Sequence, residues 1–476
     1  MASGAELEKG RNMKTIALAV IVIAIVGAGA VFFILNQGAP EEQGIALTIL
    51  TRHDTAIHTA YEEAFLASDI AEEYGITDLK WKTQAPQFWD DVVEAGGVDV
   101  LWGGGPTLFD QMQRDEYLKP LTSDYMQEVL DRVPDTIAGA AMKRKNDENE
   151  TIWVAAAISS FGFTVNHNFL DEYELPTPNN WTHLSKPIWG SLLPTATIAM
   201  GNAPKTTSNT RIYEIITQGM GWDEGWTTMA RMAGSARLYQ GSVETQAAAE
   251  NGDVGVSMSI DFYGYTTQAN NPDCEYILPE GESIVNGDPI AISHNTEHLN
   301  ASRAFLDYVL SAEGQSLWLS EGIRRMPVLE SAFQTELGQE NTGLYTLFNQ
   351  TLENEGIEFN ETLSVNINTA FTAYFEAVFN DPHDELVDTW KAIVDAYYAE
   401  DITLEQLNQL AAQMGEPVTV NVDGDDHKFT TDYAEEINEQ MIYDSEFYDS
   451  MQQLWRDAAI DQYSQVLSDL NSMIGS

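Results

Sequence analysis

The sequence predicts an α/β protein in two lobes, followed by a helical extension and preceded by a membrane segment. Three observations carry this expectation. Strand and helix patterns alternate from residue 45 to about 330, and from about residue 334 the pattern changes to helices alone. Alternation of that kind calls for parallel strands joined by helical crossovers. The third observation is residues 15–35, TIALAVIVIAIVGAGAVFFIL, a run of 21 residues without a charge.

That run reaches about 32 Å as a helix, enough for a bilayer core of ~30 Å. Lys9, Arg11 and Lys14 precede it, whereas Glu41 and Glu42 follow it and the next basic residue is Arg52. Positive charge on one flank places residues 1–14 in the cytoplasm and the remainder outside the cell. The run exceeds the ~7–15 apolar residues of a signal peptide, so a retained single-pass anchor is the preferred reading. Signal cleavage near Gly27–Ala30 and prepilin-type processing at Lys9-Gly10 are the alternatives. Cys274 is the sole cysteine, which excludes a lipid-modified N-terminus and an intrachain disulfide.

Asp and Glu number 74 against 23 Lys and Arg, a formal net charge of -51. A surface of that sign repels nucleic acid and anionic lipid, and suits salty or acidic surroundings. Five Asn-X-Ser/Thr sequons, at Asn149, Asn180, Asn300, Asn349 and Asn360, mark sites where an exported domain carries glycans.

After a polar linker at 36–44, a buried strand is expected at 45–50, a helix at 57–68, a strand at 79–83, a helix at 88–94 and a strand at 98–102. Two strands split near Ser159-Ser160 are expected at 151–160 and 161–165, opening a second lobe. A polar loop at 194–210 leads into a helix at 212–218; strands follow at 254–260 and 289–292, then a helix at 302–311 capped by Asn300. Helices are expected at 369–379, 384–398 and 440–473, and Thr403-Leu404-Glu405-Gln406 has capping-box spacing. Trp390, Tyr397 and Tyr398 read as packing residues.

Ligands of open α/β sheets bind beyond the strand C-termini, which puts Arg52, His53 and Gly103-Gly104-Gly105 on one functional edge. Arg52 either clamps an anion or pairs with one of many nearby acids. The three glycines allow close backbone approach to a ligand, or form a plain turn. Thr207, Ser208 and Asn209 stand where a helix begins, suited to an anionic group or to ordinary capping. His53 and His58 do not share a helical face, and Asp423-Gly424-Asp425-Asp426 reads as an acidic turn. No nucleophile elbow, zinc helix or Cys–His pairing is present, so an enzyme is not expected.

The ordered stretches VDVLWGGG (98–105), ISSFGFTVN (158–166), GMGWDEGW (219–226), NGDVGVSMSIDFYGY (251–265), NGDPIAI (286–292), FLDYVLSAEGQSLW (305–318) and RRMPV (324–328) resemble the family 1 extracellular solute-binding proteins of ABC importers, near their ferric-iron-binding branch. The resemblance implies a two-lobed type II periplasmic-binding-protein fold, a Venus flytrap. Lobe 1 would span 45–155 and 290–330, lobe 2 would span 156–289, and 331–476 would be the extension. It implies hinge strands near 155–159 and 289–292, no cofactor, and an ABC permease with its cytoplasmic ATPase as partners. The extension's helices would buttress lobe 1 or contact the permease.

The implied ligand is a small anionic organic solute bearing phosphate or carboxylate. Its candidate set is Arg52, His53, Gly103, Gly104, Gly105, Ser159, Ser160, Thr207, Ser208, Asn209, Asp261, Tyr263 and Tyr265. Asp261 would orient a hydroxyl or a cation, or cap the next helix; the two tyrosines would contact the ligand or pack in the core. The alternative is ferric iron on His53, Tyr263 and Tyr265, with Gly264 standing where the branch has its second tyrosine. A surface sensor or structural protein reusing the fold is a further alternative.

Overall fold

The structure is a computed structural model that describes residues 44–85, 88–354 and 356–475. The expected anchor at 15–35 lies outside the described residues, and no helix among the described residues is long and apolar enough to cross a membrane.

In chain order the strands that build the body are β1 (Ile45–Thr51), β2 (Ile76–Thr83), β3 (Val100–Trp102), β4 (Thr151–Asn166), β5 (Ile198–Gly201), β6 (Ala236–Tyr239), β7 (Val256–Ile260) and β8 (Val285–Ser293). A hairpin, β9 (Thr419–Val422) and β10 (Asp425–Lys428), lies in the extension. The helices used below are α1 (Thr55–Leu66), α2 (Trp89–Glu94), α3 (Pro106–Arg114), α4 (Thr207–Met220), α5 (Trp222–Gly234), α6 (Ser242–Glu250) and α7 (Asp261–Asn270). They continue with α8 (Leu299–Val309), α9 (Thr342–Glu353), α10 (Glu361–Phe375), α11 (His383–Tyr398), α12 (Leu404–Gly415), α13 (Thr431–Tyr443) and α14 (Ser445–Ile474).

The main sheet path runs β6-β5-β7-β4-β8-β3-β1-β2. β1, β2 and β3 are mutually parallel, as are β5, β6 and β7. Between these groups run the antiparallel pair β4 and β8, long and buried throughout. Register decides how the two halves face. β3 ends at Trp102, opposite Ile290 of β8, and β7 ends at Ile260, opposite Phe161 of β4. The C-terminal ends of both half-sheets therefore point at the middle of the β4–β8 pair, where Ser159 and Ser160 pair with Asn286 and Val285. Two lobes joined by two shared strands, with a cleft over that midpoint, follow from this register.

Several expectations are corrected. β4 is one continuous strand, because Ser159 and Ser160 stay in the ladder with β8 although their polarity interrupts the apolar run. Residues 261–265 begin helix α7, in keeping with the helix-start role open to Asp261. Asn300 lies inside the first turn of α8, and His298 occupies the cap position. The expected helix at 440–473 is two helices, because the Asp444 carboxylate accepts from the Glu446 and Phe447 N–H groups and starts α14 afresh. The extension is not helical alone: the acidic turn at Asp423 (φ 54) and Gly424 (φ 102) closes the β9–β10 hairpin. Positive φ at both central residues is the geometry of a tight two-residue hairpin.

The extension divides: its first part, including α9, buttresses lobe 1 as expected, while the helices from α10 onward pack on lobe 2. Phe371, Tyr374, Trp390 and Trp455 join Trp226, Met229 and Ile215 in one continuous core, while α1, α8 and α9 share a separate core with β1 and β3. Trp390 is fully buried and donates its indole N–H to Ser235 Oγ at 2.8 Å, whereas Tyr398 is 49% exposed. The Thr403–Gln406 capping box forms as its spacing predicts. Of the sequons, Asn149, Asn300 and Asn360 are exposed, while Asn180 and Asn349 are half-buried.

Candidate functional site

The cleft floor is built around Asp288, which sits at a register shift in β8 beside Pro289. Its Oδ2 accepts from Arg325 Nη1 at 2.7 Å and lies 2.7 Å from His53 Nε2, while its Oδ1 accepts from the Gly104 N–H at 3.2 Å. Burial opposes ionisation of Asp288, but Arg325 and His53 together hold its carboxyl well below the usual range. Burial lowers the pKa of His53 against the pull of Asp288. A neutral ring that donates Nε2–H to Asp288 also explains why the buried Nδ1 has no partner, since a charged ring would bury an unpaired N–H. Arg325 thus carries the compensating charge.

Gly103, Gly104 and Gly105 follow β3 with φ of 81°, 108° and 86°. A Cβ on Gly103 would stand 2.4 Å from His53 Nε2, so only glycine lets this loop close over the histidine. The Gly103 N–H donates to the Pro289 carbonyl at 2.8 Å, pinning the loop to β8. Arg52 is exposed at the same edge, and its Nη1 donates to the Gln84 carbonyl at 3.3 Å.

From lobe 2, Asp261 begins α7 fully buried, its Oδ2 accepting from the Ser160 N–H at 2.7 Å and its Oδ1 from the Phe262 N–H at 2.8 Å. Burial pushes its carboxyl up to about 7 against those bonds and the charge of Arg325. Asp261 thus joins β4 to the start of α7. Phe262 lies under the Arg325 guanidinium at 4.4 Å, and half-buried Tyr263 packs its ring against Phe262 at 4.5 Å. Ser208 Oγ meets Ser242 Oγ at 3.0 Å, which brings the first turns of α4 and α6 side by side. Thr207 is exposed beside them, with Thr206 at the cap position. Asn209 instead turns inward, its Oδ1 accepting from the Gly201 N–H at 2.9 Å at the end of β5.

Tyr265 requires correction. It is 4% exposed and packs edge-on against Tyr276 at 5.2 Å. Residues two apart on a helix point to nearly opposite sides, so Tyr263 and Tyr265 cannot both face the cleft. Burial raises the pKa of both phenols, Tyr265 far more, which opposes the phenolate that ferric iron needs. With His53 Nε2 engaged by Asp288, the His53–Tyr263–Tyr265 ligand set does not assemble.

Two charged residues of the floor, Asp288 and Arg325, were not among the sequence candidates, although both lie in the stretches NGDPIAI and RRMPV that carry the resemblance. The available signal was Arg325 beside a proline-ended apolar pair in an acid-rich chain. A surface concavity of about 820 Å³ lies elsewhere, on the outer face of lobe 1 near Arg132, Asp307 and Glu313.

Two α/β lobes joined by shared strands, with charged and backbone donors gathered at the facing sheet edges, define a solute-binding protein. The chain belongs to the bacterial extracellular solute-binding protein family, whose sequence model matches residues 97–348. The phosphoglycerate transport regulatory protein PgtC of Salmonella typhimurium is 26% identical over 243 residues, 50% of this chain and 55% of that protein. The chain thus spans about half the length of the curated relatives it matches. Among solved structures, the GacH receptor of Streptomyces glaucescens superposes with a TM-score of 0.57 at 15% identity, covering 75% of this chain and 98% of that one. The periplasmic binding protein AfuA of Actinobacillus pleuropneumoniae, solved with fructose-6-phosphate bound, gives 0.51 at 17% identity, covering 73% and 98%. Both establish the fold.

Proposed function

We propose that this chain is a membrane-anchored extracellular receptor that captures a small organic anion, phosphate- or carboxylate-bearing, by lobe closure. It would deliver that solute to an ABC permease driven by a cytoplasmic ATPase, with no chemistry of its own. Residues 15–35 would hold the body at the outer face of the membrane, near its permease.

One observation carries the reading. Helices α3, α4 and α6 begin at the facing sheet edges with no side chain capping their first turns, whereas α1 is capped by Asp54 and the Asp261 carboxylate takes a first-turn N–H of α7. First-turn N–H groups and the helix dipole favour an anion there. Arg52 adds positive charge at the same edge, while the charge of Arg325 is balanced by Asp288. Such local charge is needed, because a body of net charge -51 otherwise repels an anion. Differential affinity for the closed form would drive closure.

Phosphoglycerate, named in the PgtC relative, carries both anionic groups and is the first compound to test. At ~100 times its dissociation constant a ligand stabilises the folded state by roughly 2.7 kcal/mol. Thermal-shift screening against phosphoglycerates, phosphosugars, thiamine phosphates, polyamines and ferric citrate should therefore move the melt with phosphate-bearing anions. Arg52→Ala should weaken that shift without lowering the melting temperature of the free protein. A shift with polyamine or iron alone would overturn the reading. The word "regulatory" in the relative's name supports a second reading, a surface sensor reporting the same class of solute. A kinase or chemoreceptor gene beside this one, in place of a permease and ATPase, would favour it.

A further inference from the structure

Beyond the cleft floor, one polar cluster ties lobe 1, lobe 2 and the extension together. Thr107 is the second residue of α3, just after the glycine loop, and belongs to lobe 1. Arg211 lies on α4 of lobe 2, and Glu361 is the first residue of α10 in the extension. Arg211 Nη2 donates to Thr107 Oγ1 at 2.5 Å, Thr107 Oγ1 donates to Glu361 Oε2 at 2.7 Å, and Arg211 Nη2 pairs with Glu361 Oε2 at 3.1 Å. The triangle is closed, and most of it is shielded from water: the Arg211 side chain is 11% exposed and that of Glu361 19%. The guanidinium is held from its other side by Phe359, whose ring centroid is 4.7 Å away, and by Glu214 Oε2 at 3.3 Å.

The extension cannot yield independently at this point. α10 shares the lobe 2 core through Ile367, Phe371 and Tyr374, which pack with Trp226. Its first turn therefore moves with lobe 2, while Thr107 moves with lobe 1. Opening the cleft at this point would break two charge-assisted hydrogen bonds on Thr107 at once.

We propose that Glu361 and Arg211 form an interlobe latch on Thr107, by which the C-terminal extension biases the cleft toward its closed form before solute arrives. The inference rests on the two-lobe capture reading and adds its regulation. Because Thr107 follows Gly103–Gly105 directly, the latch also holds the glycine loop in position. Glu361 lies outside the residues 97–348 that the family model matches, so the latch belongs to this chain's extension.

Double electron–electron resonance tests it without any solute. The full-length chain in detergent micelles would carry spin labels at Lys80→Cys on lobe 1 and Asp253→Cys on lobe 2, both exposed, in a Cys274→Ala background. The parent is expected to populate mainly the shorter interlobe distance. Thr107→Val and Glu361→Gln should each raise the ratio of long to short distances about tenfold, whereas Thr107→Ser, which keeps the hydroxyl, should match the parent. If Glu361→Gln fails to fold, the Thr107→Val and Thr107→Ser pair decides alone. Unchanged distributions in Thr107→Val, or a parent already dominated by the longer distance, would overturn the latch. Because no solute is added, failure of the anionic-solute reading leaves the result interpretable. Sodium 3-phosphoglycerate added afterwards tests that reading separately, by restoring the short distance in Thr107→Val or leaving it unchanged.

Discussion

Glu214 is the residue at which burial and charge are least reconciled. Its Oε1 has no partner, and its single ion pair, to Arg211, is shared with Glu361. Burial raises its carboxyl from 4.5 to about 7 against the pull of Arg211, and Glu361 adds repulsion. The folded state thus holds this proton more tightly than the unfolded chain does. The resulting stability is fully present below about pH 4.5 and is lost as pH rises through about 7. Asp261, also raised to about 7, acts in the same sense, whereas Asp288 and His53, both lowered, act in the opposite one. Glu214→Gln should therefore stabilise the protein at pH 8 by roughly 1–3 kcal/mol and leave it little changed at pH 4.5. Melting curves at the two pH values test this; an identical gap between them in wild type and variant would refute it. At this scale the sequence was partly legible. Arg52, His53 and Gly103–Gly105 stand at the cleft because strand ends dictate it, but Asp288 and Arg325, 37 residues apart, meet only through the register of β8 and the turn before residue 326.

Among the elements, α11 shows how the extension is fastened. Trp390 fills the space above Gly190 and Gly234, where an added Cβ would come within 2.8 Å of the Trp390 side chain. The sequence marked Trp390 as a packing residue but not what it packs against. Trp390→Ala should cost about 3–5 kcal/mol, the usual range for an aromatic core truncation. Limited proteolysis should then cut the extension before lobe 1; cleavage at the wild-type rate and positions would contradict that assignment. Where element readings succeeded, the cause was local. The Thr403–Gln406 capping box satisfies the helix's own N–H groups and needs no distant partner. Where they failed, a distant partner decided. Polar Ser159 and Ser160 read as a break between two strands, but their pairing with Asn286 and Val285 of β8 keeps β4 continuous.

For the whole molecule, charge is the dominant global property. With a net charge of -51, self-repulsion acts against the compact state and is screened by salt, as the Debye length falls from ~30 Å at 0.01 M to ~3 Å at 1 M. The melting temperature should rise by several degrees between 10 mM and 1 M KCl. A flat or falling trend would refute self-repulsion as a term that destabilises the fold. Salt should also affect the lobes unequally, since the extension adds further acids to lobe 2.

The sequence by itself determined the α/β class, the alternating order of elements, the loop edge at the strand C-termini, and the chemistry of an uncharged run preceded by basic residues. All of these depend on neighbours within a few residues: periodicity, capping, glycine freedom and flanking charge. Tertiary structure alone decided that β4 is one strand, that Asp288 is neutralised by Arg325, that Tyr265 is core, and that the extension packs its first part on lobe 1 and its later helices on lobe 2. Each of these depends on which distant segment lies opposite, and that is settled by the register of β4 against β8 and by the shared burial of aromatic side chains, neither of which has a local signature.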